Sequence, residues 1–81
     1  MNTEMILEKL YNMLNQDELT EEDVSSLSEW YLSPDDEIRI LVAQVSVLSN
    51  SPAIQKILLI LSKDSNYLVR ANACDSLCIF P

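Results

Sequence analysis

From Thr3 to Phe80 the apolar positions fall into five blocks at helical spacing, separated by short turns rich in Ser, Asn, Asp and Pro. Leu7, Leu10, Tyr11 and Leu14 share one face of a first helix that Thr3 can cap and that runs to about Asn15, with Glu4, Glu8 and Asn12 opposite. Thr20 followed by Asp23 is a capping-box pattern, and it predicts a second helix to about Leu32 with Val24, Leu27 and Tyr31 as its stripe and Trp30 alongside. Ser33-Pro34, a cap followed by proline at the first helical position, predicts a third helix to about Ser49. Its β-branched content makes a strand the competing reading. Alternation through 38, 40, 42, 45 and 47 breaks phase once, whereas 38, 41, 42, 45 and 48 keep helical spacing throughout, so helix is predicted. Asn50 can end it, and Ser51-Pro52 repeats the cap-then-proline device to open a fourth helix that closes near Lys63. Ile54, Ile57, Leu58 and Leu61 make its main face, but Leu59 and Ile60 fall outside it, so this helix needs cover on two sides. Asp64-Ser65-Asn66 then leads into a fifth helix from about Tyr67 to Phe80.

Two of these helices open alike. Ile38-Arg39 and Val69-Arg70 are aliphatic-Arg pairs 31 residues apart, a period within the range of units that bury an apolar face only by stacking on a neighbour. The run Asp64, Val69-Arg70-Ala71-Asn72-Ala73-Cys74 and Leu77 resembles the HEAT-repeat pattern, particularly the short HEAT-like repeats of the phycobilisome-lyase type. There an aspartate in the inter-repeat turn precedes an aliphatic-Arg pair, small residues and a leucine. The earlier copy departs from it: Ser33 stands at the aspartate position and Ser46 at the leucine position, while Ile38-Arg39 and Val42-Ala43 match. The resemblance implies an all-α, right-handed α-solenoid of antiparallel helix pairs in a single domain 1–81: pairs over 3–32 and 34–63 and a half repeat over 66–80, about two and a half repeats and five helices. Arg39, Asp64, Val69, Arg70, Ala73 and Leu77 are its repeat positions, and Ala71, Ala73 and Cys74 are small enough to admit a close neighbouring helix.

Charge divides the chain. Residues 1–38 carry eleven acidic side chains against Lys9, a net −10, and residues 39–81 carry a net +2. Such a field repels phosphate backbones, so no nucleic-acid partner is expected and a basic protein partner is favoured. Acidic residues in first turns also fit simple solvation and helix-dipole roles. Met1-Asn2-Thr3-Glu4 lacks the basic start of a secretory signal, and Ile57–Leu61 is too short an apolar run to span a bilayer. These features predict a cytoplasmic chain with no membrane partner.

Candidate chemistry is sparse. With no histidine, no glycine and two cysteines, neither a zinc site, a disulfide framework nor a glycine-rich phosphate cradle can be built from this chain alone. Cys74 and Cys78, four apart on one helix, are expected as small packing residues. Asp35-Asp36 and Glu21-Glu22 sit where capping explains them, and no base accompanies Ser or Cys, so no enzyme activity and no catalytic residue is expected. Some proteins with phycobilisome-lyase-type repeats act on bilins, but no residue here marks a tetrapyrrole pocket, and no cofactor or metal is expected.

The expected function is a protein-protein interaction module or scaffold, with the second helix of each pair lining a groove at Glu22, Ser25, Glu29, Gln55 and Leu59. A small acidic inhibitor, immunity or nucleic-acid-mimic protein using Glu21, Glu22 and Asp23, and a self-assembling structural unit, are the competing classes. The fifth helix has no following helix to cover it. Either the chain is the amino-terminal part of a longer repeat protein, or the open end, with Ile60, Cys78 and Phe80, is buried by self-association into a homo-oligomer or by a partner.

Overall fold

Short polar side chains set where the second to fifth helices begin. In the computed structural model, which describes residues 3–49 and 51–78, the order is α1 (Thr3–Met13), α2 (Glu21–Trp30), α3 (Asp36–Val45), α4 (Pro52–Leu61) and α5 (Tyr67–Leu77), with a 3-10 turn at Ser46–Leu48 closing α3. No strand occurs among the described residues. Thr20 caps α2 through a full capping box: its hydroxyl accepts from the Asp23 N–H (3.1 Å) and the Asp23 carboxylate accepts from the Thr20 N–H (3.1 Å). Ser51 caps α4 with Pro52 in the first turn, and Asn66 caps α5 by accepting from Leu68 N–H (2.8 Å) and Val69 N–H (3.4 Å).

The third helix starts later than Ser33-Pro34 suggests. Asp35 is its N-cap, with an extended backbone and a carboxylate that accepts from the Glu37 N–H (2.9 Å). Ser33 instead accepts from the Asp35 N–H (3.2 Å), one step upstream. The same device recurs where Ser49 accepts from Ser51 N–H (3.2 Å) and Asp64 from Asn66 N–H (2.9 Å). A residue two before the cap thus satisfies the donor that the cap itself leaves over. Helix ends also come earlier than expected: α3 stops at Val45, where the buried Ser46 hydroxyl bonds back to the Val42 carbonyl (2.6 Å), and α5 stops at Leu77. The C-caps Tyr31, Ser46, Ser62 and Cys78 all keep right-handed helical dihedrals, and no described residue has positive φ. A chain without glycine ends its helices without the left-handed residue that glycine usually supplies. The roles expected of Asn50 and of the Ile79-Phe80-Pro81 end lie outside the described residues.

The helices pack by parity. α3 lies between α1 and α5, and α2 packs along α4, which also meets α5. The shortest dimension of the chain, 18 Å, is that of two helix layers. Between the layers sit Leu10 and Met13 of α1, Leu27 and Trp30 of α2, Ile38, Leu41, Val42 and Val45 of α3, Ile54, Ile57, Leu58 and Leu61 of α4, and Val69 and Ala73 of α5. All are buried, and no buried side-chain nitrogen or oxygen among the described residues lacks a hydrogen-bond partner.

Candidate interaction surfaces

The joint between α3 and α5 is polar and closed on itself. Arg39 spans it: Nε donates to Asp64 Oδ2 (2.8 Å), Nη2 to Asp64 Oδ1 (3.3 Å) and to Asp36 Oδ1, and Nη1 to the Ser33 carbonyl (2.7 Å). Asn66 completes the ring, donating its backbone N–H to Asp64 and its Nδ2 to Asp36 Oδ2 (3.1 Å). The Arg39 and Asp64 side chains are each 13% exposed, so this two-point contact is largely shielded from water, where charged hydrogen bonds gain strength. Partial burial pushes the Asp64 carboxyl pKa up, but the Asn66 N–H, the Arg39 hydrogen bond and the charges of Arg39 and Arg70 outweigh it and hold the pKa below the ordinary aspartate value. The hydrogen bond to Asp64 does most to raise the Arg39 pKa, against some opposition from burial.

Arg70 repeats part of this arrangement 31 residues later. Its Nη1 donates to the carbonyls of Asp64 (2.7 Å) and Ser65 (3.0 Å), so both arginines reach the carbonyl six residues upstream. The spacing of 31 therefore has a bonding pattern, not only a sequence echo. Ser33 and Asp64 each accept from the cap N–H, Asp35 and Asn66 each cap a helix, and Ile38 and Val69, Val42 and Ala73, and Val45 and Ser76 are buried in matching positions. The even helices keep the same register: Thr20 and Ser51 are both N-caps, and Leu27 and Leu58, like Trp30 and Leu61, are both buried. Against α1 the spacing becomes 32, with Ile6, Leu10 and Met13 matching Ile38, Val42 and Val45, because residues 14–20 form a connection one residue longer than residues 46–51.

Three surfaces follow from this register. Between α1 and α2 lies a shallow groove of about 250 Å³ whose lining includes Lys9, Asn12, Gln16, Glu22 and Ser26. Thirty-one residues on, Glu22 and Ser26 have Ala53 and Ile57 as counterparts, two residues of the second groove. A second groove, about 280 Å³, runs between Ser28 and Tyr31 of α2 and Ala53, Lys56, Ile57 and Ile60 of α4. The third surface is made of exposed side chains of α4 and α5, Leu59 (53%), Arg70 and Cys74, beside Leu77, which is half-buried against the core.

The expected contact residues divide among these surfaces. Glu22, Ser25 and Glu29 are exposed on α2, and the register partners of Ser25 and Glu29 on α4 are Lys56 and Ile60. Gln55, half-buried, and Leu59, exposed, instead match Val24 and Ser28 of α2, of which Ser28 lines the groove with α4. Of the self-association residues, Ile60 is 43% exposed and lines the α2/α4 groove, Cys78 is exposed, and Phe80 lies outside the described residues. Val69 and Ala73 are buried and Leu77 half-buried. Cys74 and Cys78 are free thiols on the exposed side of α5, and Ala71 is exposed with them. The packing role expected of the cysteines is not met, because α5 meets its neighbours through Val69, Ala73 and Ser76 instead. Sequence reasoning missed Ser76, whose buried hydroxyl donates to the Ala43 carbonyl of α3 (2.8 Å), and the bridging pair Asp36 and Asn66. Asn66 had a signal, since it lies 31 residues after another capping side chain, Asp35.

No group of three or more Cys, Asp or Glu side chains among the described residues is arranged to hold a metal ion, and no described helix is long and apolar enough to cross a membrane. No protein family, curated protein or solved structure matches the chain.

Proposed function

We propose that the chain is a HEAT-like α-solenoid segment, two and a half right-handed units of antiparallel helix pairs, and that it serves as a protein-protein interaction module or scaffold rather than an enzyme. The observation that carries this reading is the recurrence of one bonding set at a fixed spacing: an acceptor before the cap, the cap, and an arginine returned to the carbonyl six residues upstream. Packing in rows of like parity accompanies it. Stacked units of this kind present extended surfaces that bind other proteins. The exposed acids of α2, Glu21, Glu22 and Glu29, favour a partner with a basic face, met in the cytoplasm.

Co-purification followed by mass measurement tests the proposal, comparing Glu22→Gln/Glu29→Gln with a control, Glu4→Gln/Glu8→Gln, on α1. The bound protein is expected to be lost from the first variant and kept by the second. If nothing binds beyond what an acidic helical protein of equal size retains, or if both variants lose the partner alike, the reading fails. The acidic-inhibitor reading predicts a different pattern, with loss on neutralising Glu21, Glu22 and Asp23 together. Asp23 is already engaged in the Thr20 capping box, which leaves Glu21 and Glu22 free for that role.

A further inference from the structure

Both cysteines of the chain lie on the exposed side of α5 as free thiols. Cysteine is among the side chains most often buried, and packing is its usual role, which neither thiol fills here. The register does not call for a thiol at either position: 31 residues earlier stand the fully buried Ala43 and the 42% exposed Val47. The backbone does fix how the two stand to each other. The Cys78 N–H donates to the Cys74 carbonyl (3.2 Å), and Cys78, the C-cap of α5, keeps right-handed helical dihedrals. The two side chains therefore leave one face of the helix a single turn apart.

At that spacing the β-carbons of a helix lie about 5–6 Å apart. A disulfide needs about 3.5–4.5 Å, so the pair is held open as a dithiol. An ion bound in line between two thiolates takes a wider span. With about 2.3 Å for each metal–sulfur bond, as for zinc, the sulfurs stand about 4–5 Å apart, within reach of two side-chain rotations. No third Cys, Asp or Glu converges on the pair among the described residues, which removes the four-ligand sites that structural zinc and iron–sulfur clusters require. Two thiolates alone suit a soft monovalent cation. We infer that Cys74 and Cys78 form a two-coordinate site for copper(I) within one chain. On binding, two S–H bonds give way to two S–Cu bonds, two protons pass to solvent and copper keeps its +1 charge. The site is set wholly inside α5 and does not depend on the interaction reading above.

The test is a titration of the full chain, without oxygen, against copper(I) held by a coloured chelator, in which loss of colour reads the ion withdrawn. One ion per chain is expected, with no chains joined by loading when the mass is measured. Cys74→Ser and Cys78→Ser should each weaken binding by about 100-fold or more, since losing a ligand costs more than losing a residue that supports one. The variant Cys78→Ser/Asn72→Cys keeps two thiols on α5 but sets them on opposite sides of the helix, about 160° apart, and should bind as weakly as the single variants. Cys74 and Cys78 are exposed and Asn72 half-buried, and circular dichroism shows that each variant keeps its helix content. No copper withdrawn by the unaltered chain, one ion shared between two chains, binding indifferent to either serine, or full affinity with the thiols on opposite sides would each overturn the inference.

Discussion

At the scale of single residues, Arg39 and Asp64 matter most because they join elements that the chain separates by 25 residues. Asp64→Asn removes the charge but leaves an oxygen for the Asn66 N–H, so it isolates the contact to Arg39. A largely shielded charged hydrogen bond is worth about 1.5–3 kcal/mol, and a loss of that order is expected in urea unfolding. The same contact gives a pH dependence of definite sign. The folded-state pKa of Asp64 lies below its unfolded value, so its contribution is fully present above the ordinary carboxylate range, about pH 4, and is lost as the pH falls through the lowered folded value. Unfolding midpoints measured against pH should therefore drop less steeply on the acid side for Asp64→Asn than for the unaltered chain. Arg39, Asp64 and Arg70 were legible in the sequence because charged residues at a fixed period attract attention. Ser33 was legible as a cap rather than as the support of one, whereas Asp36 and Ser76 gave no signal, since each is an ordinary helix residue until packing brings it against another helix.

At the scale of the element, the helices owe their starts to local chemistry and their persistence to burial. Removing the cap hydroxyl in Thr20→Ala should cost about 1 kcal/mol, whereas Leu27→Ala and Leu58→Ala, at fully buried register-matched sites, should each cost about 2–5 kcal/mol. Leu59→Asp, one residue from Leu58 but 53% exposed, should change stability by no more than about 0.5 kcal/mol in the isolated chain. Thermal or chemical unfolding of the four variants checks the order, and a Leu59 variant as damaging as the Leu58 one would contradict the placement of α4. Periodicity predicted all five helices. It placed the start of α3 at Ser33-Pro34 because two cap-like residues precede that helix, and only backbone geometry shows that Asp35 is the cap and Ser33 its support. The α1 register was hidden by one extra residue in the first connection, and α2 gave no sign of its match to α4 because the shared positions are ordinary caps and core residues. Cys74 and Cys78 misled because small residues fit a close joint equally well whether or not a neighbouring helix is present.

At the scale of the whole molecule, α1, α3 and α5 lie side by side in chain order, with α3 and α5 joined by the Arg39 ring. Charge follows the same axis, acidic over residues 1–38 and slightly basic beyond. A partner steered by that field should associate more slowly as salt rises, an effect that stopped-flow mixing at two ionic strengths would resolve, while contacts inside the Arg39 ring should be far less sensitive. All of this depends on α5 docking on α3 through the charged joint. The most direct test is a double-mutant cycle in urea, with Arg39→Gln, Asp64→Asn and the pair together. The account predicts that the double variant loses clearly less than the two single losses combined, with a coupling of about 1–2 kcal/mol. Strictly additive losses would mean that Arg39 and Asp64 do not meet, and would contradict the stacked register on which the account stands.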